Sequence, residues 1–318
     1  MYDLKISGGF VVDGTGAPGR IMDVGIVGDR IVAVGNLDES AREEIDAAGR
    51  IVAPGFVDIH THYDGQATWD QEMAPSAWHG VTTVVMGNCG VGFAPAAPER
   101  QDWLIGLMEG VEDIPGSALA EGMTWDWESF PDYLNALEKL DRTIDVAAQV
   151  PHGAVRAYVM GDRGAANEAP TDSDIARMAS IVEEGLAAGA VGFSTSRTIL
   201  HKAVEGELVP GTTATKEELL GIGDALKRAG HGVFELASDL HPDWDEFGWM
   251  GDLSRDTGAA VAFTALESPI KGLSFAQQLA EMRVQNDAGA QIVAQISMRG
   301  TGLILGWRAT FHPFSQRP

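Results

Sequence analysis

From residue 50 onward the chain repeats one unit. A short, apolar, β-rich segment is followed by a longer stretch with helical spacing, then by another such segment. The segments read RIVAPGFVDIH (50–60), GVTTVVMG (80–87), IDVAAQVP (144–151), GAVGFSTS (189–196), GHGVFELAS (230–238), GAAVAFTAL (258–266) and AQIVAQIS (290–297). Strands apolar on both faces and alternating with helices belong in a parallel sheet covered by helices. Several of them follow an Ala-Gly pair, as in EEGLAAGAVGF, ALKRAGHGVF and QNDAGAQIV, and glycine stops a helix by taking the left-handed conformation. Thr171 precedes Asp174, and Thr215 precedes Glu218, at the spacing of a helix capping box. The choice lies between an open doubly wound sheet and a (β/α)8 TIM-type barrel. No GxGxxG follows the first strand, which argues against a dinucleotide fold.

Residues 1–54 read differently. YDLKISGGFVVDG and IMDVGIVGDRIVAVG are β-rich and broken by Gly-Gly, Asp-Gly and Gly-Asp turns, with no helical period between them. So short a segment makes a marginal core alone, so it is expected to pack on something else or to receive strands from elsewhere. The expected division is therefore 1–54 and 55–318. Seven barrel strands are visible, not eight, and the closing GWRATFHPFSQRP supplies no further strand. A barrel lacking its last unit leaves two parallel edges unpaired. The sequence reads as an incomplete chain or as one that another subunit completes, which keeps a homo-oligomer open. The span 90–143 is the longest insertion. Its GMTWDWESFPDYL is expected to start a helix or form a lid.

His60 and His62 stand at the end of the first barrel segment. Residues two apart on a strand point the same way, and the C-terminal end of barrel strands is where barrel enzymes do chemistry. Two neutral imidazoles there can hold a borderline cation such as Zn2+. The alternative is a hydrogen-bonded pair in a turn.

The stretch RIVAPGFVDIHTHYD, preceded by VVDGTG and VGIVGDRIVAVG, resembles the amidohydrolase superfamily. GVTTVVMGNCGVGFAP narrows the resemblance to its N-acyl-D-amino-acid deacylase branch. The resemblance implies a metal-dependent (β/α)8 barrel with a small β-sandwich built from both ends of the chain. It implies hydrolysis of a non-peptide C–N amide bond in a small molecule, with one or two Zn2+ ions as cofactor. It also implies that His60, His62 and Cys89 are metal ligands. The branch has further ligand histidines after strands five and six. Those places read VFELASDL and VAFTALES here, and Glu235 and Glu267 are the candidate substitutes. The catalytic aspartate of the branch follows strand eight, so the resemblance leaves the catalytic residue of this chain unassigned.

Polar residues gather after strands three and four. His152, Arg197, His201 and Lys202 are the candidates for substrate contact. An arginine fork suits a substrate carboxylate, and a solvated loop charge is the plainer alternative. His79, His231, His241 and His312 are read as structural or surface residues, and the eight tryptophans as core or lid before acyl pocket.

The formal charge of −24 repels nucleic acid and anionic membrane, so neither is expected as a partner. The single cysteine excludes an intrachain disulfide and fits a reducing compartment. With no signal-peptide pattern and no membrane-length apolar run, a cytoplasmic location is expected. The favoured function is deacylation of N-acyl-D-amino acids or similar linear amides. Hydrolysis of a cyclic, hydantoin-like amide is the alternative, and a catalytically incomplete fragment or binding module is a third.

Overall fold

The computed structural model describes residues 1–266, 272–297 and 300. The chain forms two compact units, Met1–Phe56 and a second that begins at Val57.

The first unit is one sheet. Strands β1 (Tyr2–Val11), β2 (Arg20–Val27), β3 (Arg30–Gly35) and β4 (Ala41–Asp46) run in the order β3-β2-β1-β4, and β5 (Ile51–Val52) also pairs with β1. The β1–β2 and β2–β3 pairs are antiparallel, whereas β4 and β5 join β1 in parallel. The register of β1 slips between Ile6 and Gly9. At that bulge Asp23 accepts hydrogen bonds from the Gly8 amide at 2.8 Å and the Leu37 amide at 3.1 Å.

The second unit holds seven strands in chain order. They are β6 (Phe56–Asp58), β7 (Val81–Met86), β8 (Asp145–Pro151), β9 (Gly192–Arg197), β10 (Val233–Ser238), β11 (Ala260–Thr264) and β12 (Ile292–Gln295). The ladders from β7 to β12 are parallel. Segment 50–60, expected as one strand, is two. Ile51 and Val52 pair with β1, and Phe56 opens the parallel sheet. Pro54 between them has no amide to donate and breaks the ladder.

The sheet curls. Six inter-strand spacings in a flat sheet would hold β6 and β12 roughly 29 Å apart. Yet His60, just after β6, lies 3.1 Å from Gln295 of β12 through Nδ1 and Oε1. The structure thus has a curled seven-stranded parallel α/β sheet of barrel type.

Helices Asp172–Ala188, Lys216–Ala229 and Glu246–Thr257 end at Gly189, Gly230 and Gly258, all left-handed. Their apolar faces, including Val182, Leu186, Ile222, Leu226, Met250 and Leu253, join Phe193, Phe234, Val261 and Phe263 of the strands in one core. The Phe193 and Phe234 rings meet at 5.1 Å, and Trp249 lies 5.8 Å from Phe234. Thr171 and Asp174 form the reciprocal capping box that their spacing suggests. Thr215 accepts from the Glu218 amide, but Glu218 does not reciprocate, because its carboxylate is buried on Arg156 and His152.

The insertion 90–143 forms helices Gln101–Glu112, Gly116–Gly122 and Phe130–Glu138. It is no lid at its tryptophan-rich end. Trp127, Phe130 and Tyr133 are buried, Trp127 Nε1 donates to the Phe93 carbonyl at 2.7 Å, and Tyr133 donates to the Asp64 carbonyl at 2.7 Å. No helix among the described residues is long and apolar enough to cross a membrane.

The cap at Thr171 gives a two-part prediction. Thr171→Ala should cost about 1 kcal/mol, read by urea unfolding at pH 7. Hydrogen bonds from the Thr171 amide, then the Arg163 ion pair, hold Asp174 below the usual carboxylate range. Its stabilisation is therefore present above about pH 4 and is lost as pH falls through the lowered value. The stability gap between the chain and Asp174→Ala should close on acidification through that window.

Candidate metal centre

Strand β6 ends at Asp58, so both histidines lie just past it. The strand direction is nevertheless carried on by Thr61, whose amide and hydroxyl both donate to the Val85 carbonyl of β7, at 3.0 and 2.8 Å. Asn88 Nδ2 donates to the Thr61 carbonyl at 3.1 Å. With Thr61 pinned, His60 and His62 stand side by side, their ring centroids 5.4 Å apart.

Cys89 comes from the turn after β7. Gly87, Cys89 and Gly90 all have left-handed backbone, with φ of 76°, 55° and 70°. Gly87 is required twice over, because a Cβ there would sit 2.2 Å from the Gln149 carbonyl oxygen of β8. The Cys89 and Gly90 amides are caught by side chains across the sheet. Cys89 N–H donates to Glu235 Oε2 at 3.0 Å, and Gly90 N–H to Ser194 Oγ at 3.0 Å. Cys89 Sγ then lies 3.2 Å from His60 Nε2. One donor atom from each of His60, His62 and Cys89 falls within 4.8 Å of the others.

Two carboxylates that the spacing of the sequence does not single out complete the cluster. Glu112, the last residue of helix Gln101–Glu112, places Oε1 3.3 Å from His62 Nε2. Asp64, two residues past His62, is buried. Sequence offered a weak signal for Asp64, as the last residue of HTHYD, and none for Glu112 inside the insertion.

Burial dominates the electrostatics. It pushes the carboxyls of Glu235 and Asp64 up to about 8, and that of Glu112 up to about 7. It drives the Cys89 thiol well above its usual range, with the charges of Glu235, Glu112 and Asp64 adding to it. Burial likewise holds the His62 imidazole well below its ordinary value.

The group lacks a cation of its own. Among the described residues, Glu112 and Glu235 meet only histidines at ion-pair distance, and Asp64 has no ion pair. His62 Nδ1, Asp64 Oδ2 and Glu235 Oε1 are buried without a hydrogen-bond partner, which is costly unless something binds them. Two imidazoles and a thiol, ringed by buried acids, are the donor set of a zinc-type ion. The residues fit that metal.

The remaining candidates separate. His201 is with the cluster. Its Nδ1 lies 2.9 Å from Ser196 Oγ, and burial, then the charge of His60, push it down to about 4. Lys202 lies on the same loop, where its backbone bridges to Leu208. Arg197 is already engaged. Its Nε donates to Glu246 at 2.8 and 3.1 Å, its Nη1 donates to the Ala214 carbonyl, and its guanidinium lies 5.9 Å from both the Trp244 and Trp249 rings. The fork expected for a substrate carboxylate is occupied by Glu246.

His152 corrects its expectation. It is fully buried, with Nδ1 on Thr195 Oγ1 at 2.8 Å and Nε2 on Glu218 Oε1 at 3.0 Å. Arg156 Nη1 binds both oxygens of the same carboxylate. His152 is thus part of an internal salt-bridge network, with neither nitrogen open to substrate. Glu235 stands beside the metal cluster, while Glu267 and His312 lie outside the described residues.

Comparison with known proteins decides the family. Residues 43–302 match the amidohydrolase family. The chain belongs to the amidohydrolases. A D-aminoacylase of Alcaligenes xylosoxydans xylosoxydans is 38% identical over 230 residues, which is 72% of this chain and 43% of that protein. A D-aminoacylase structure, studied for its binuclear metal centre, superposes with a TM-score of 0.76 at 32% identity, covering 93% of this chain and 58% of that one. The N-acyl-D-glutamate deacylase of Bordetella bronchiseptica, solved with zinc and a phosphonate that mimics the tetrahedral intermediate, gives 0.69 at 29% identity, covering 93% and 58%. This amidohydrolase chain therefore spans under half the length of the curated D-aminoacylase it matches.

The Arg156–Glu218–His152 network yields a prediction for this scaffold. Glu218→Ala leaves a buried guanidinium unpaired, and should cost about 3–5 kcal/mol, measured by chemical denaturation.

Proposed function

We propose that this chain carries the metal-binding part of a zinc-dependent amidohydrolase that deacylates N-acyl-D-amino acids. The observation that carries the reading is the convergence of His60, His62 and Cys89 donors within 4.8 Å, in a chain 38% identical to a D-aminoacylase. The zinc–phosphonate complex of the N-acyl-D-glutamate deacylase supports zinc as the ion. In this reading the seven strands belong to a (β/α)8 barrel, residues 1–54 form part of a small β-sandwich, and 55–318 form the hydrolase barrel.

His60, His62 and Cys89 would hold the ion. A bound zinc supplies Lewis acidity towards the scissile carbonyl and lowers the pKa of water to about 7. The chain's own residues define the rest of the chemistry. Buried Asp64 and Glu235, with half-buried Glu112, would ionise in favour of a bound cation. His201, held by Ser196, and Lys202 stand on the β9 loop, where a substrate carboxylate would be received. Arg197 acts behind them by fixing that loop's base to Glu246.

The test is zinc content and deacylation by the purified chain. Stoichiometric zinc is expected in the unaltered protein, with none retained by His60→Ala, His62→Ala or Cys89→Ser after dialysis. Turnover of N-acyl-D-amino acids in preference to hydantoins should accompany it. A chain that holds no zinc, or that prefers the cyclic amides, would refute the reading.

A further inference from the structure

Glu235 is buried, lies beside the metal cluster, and is not one of the three mutually close donors. Its two oxygens face the two residues that are. Oε2 accepts the Cys89 amide at 3.0 Å. Oε1 lies 3.9 Å from His60 Nδ1 and has no hydrogen-bond partner. The same Nδ1 is 3.1 Å from Gln295 Oε1. Nε2 of the same ring lies 3.2 Å from Cys89 Sγ.

We propose that Glu235 is a positioning residue of the metal centre, holding the Cys89 backbone through the amide that its Oε2 receives. This rests on the zinc reading above. The contact is with the backbone of a ligand and Glu235 is not among the mutually close donors, so it orients a ligand and does not act as one. Cys89 has φ 55°, a conformation that a non-glycine residue adopts at some cost. The bond from its amide to a buried carboxylate holds it there. Partners that hold a metal ligand from behind govern metal affinity by about 10–100-fold.

The test compares the unaltered chain with Glu235→Gln, Glu235→Ala and His60→Ala. Zinc affinity is read by competition with a chromophoric chelator. The Cys89–cobalt charge-transfer band is read after Co2+ loading, and the Cys89 amide 1H shift in metal-free protein. Glu235→Ala should bind zinc about 10–100-fold more weakly, reach the same stoichiometry at saturation and keep the cobalt band. Glu235→Gln, which keeps the side-chain shape and with it the fold, should fall between. In metal-free protein the Cys89 amide proton should shift upfield in Glu235→Ala, because its hydrogen bond is lost. Unchanged affinity in both variants overturns the proposal. So does loss of zinc as complete as in His60→Ala, which would make Glu235 a ligand. If the unaltered chain binds no zinc, the zinc reading fails first. The Cys89 amide shift in metal-free protein then still reports separately whether Glu235 holds the turn.

Discussion

The hydrogen bond from the Cys89 amide to Glu235 joins two strands that are not neighbours. Cys89 follows β7 and Glu235 lies on β10, with β8 and β9 between them in the sheet. Such a bond can form only across the concave side of a curled sheet. Its neighbour repeats the pattern, since Gly90 donates to Ser194, which sits beside Glu235 in the β9–β10 register. Two consecutive amides of one turn are thus received by two adjacent inward side chains. Without that reception the glycine-flanked turn would have no reason to hold its cysteine towards His60.

Two buried acidic clusters in this unit meet the same problem in different ways. Glu218 is buried against Arg156 and His152, and its carboxyl lies below the usual range. Burial would raise it, but the His152 hydrogen bond and the Arg156 charge outweigh that effect. Glu235, Asp64 and Glu112 have no arginine or lysine partner among the described residues, and all three rise. The contrast explains why one cluster is a structural brace and the other a binding site. The first is complete within the chain. The second has no cation of its own among the described residues and holds its carboxyls protonated until one binds, and its imidazole and thiol donors suit a transition metal over Mg2+ or Ca2+.

What the sequence made legible follows from locality. The strand–helix alternation, the glycine stops and the Thr171 cap are set by neighbours within four residues, so their patterns survive reading without coordinates. The histidine pair was legible for the same reason. Its companions were not. Glu112 reaches His62 by way of a helix in an insertion, and nothing in its own neighbourhood marks it. Glu218 reads locally as a capping residue, and tertiary contact with Arg156 overrides that role. Arg197 and His152 show the limit from the other side. Their positions after strands promised open side chains, but position does not reveal that Glu246 and Glu218 engage them. Pro54 divides the first segment between two sheets, a boundary that the apolar run RIVAPGFVDIH concealed.

The edges of the curled sheet carry the same logic one step further. Phe56, Val57 and Ile59 on the β6 side, and Val293 and Ile296 on the β12 side, are exposed. Among the described residues β6 and β12 are the outer strands of this sheet, and large apolar residues on outer strands are an aggregation hazard unless something covers them. These two edges are also the ones tied by the His60–Gln295 contact, at the end of the strands where the metal ligands gather. The curl that brings β12 to β6 therefore also sets where His60 stands against the rest of the sheet. Curvature of the sheet and spacing of the candidate donors are, on this account, a single structural variable.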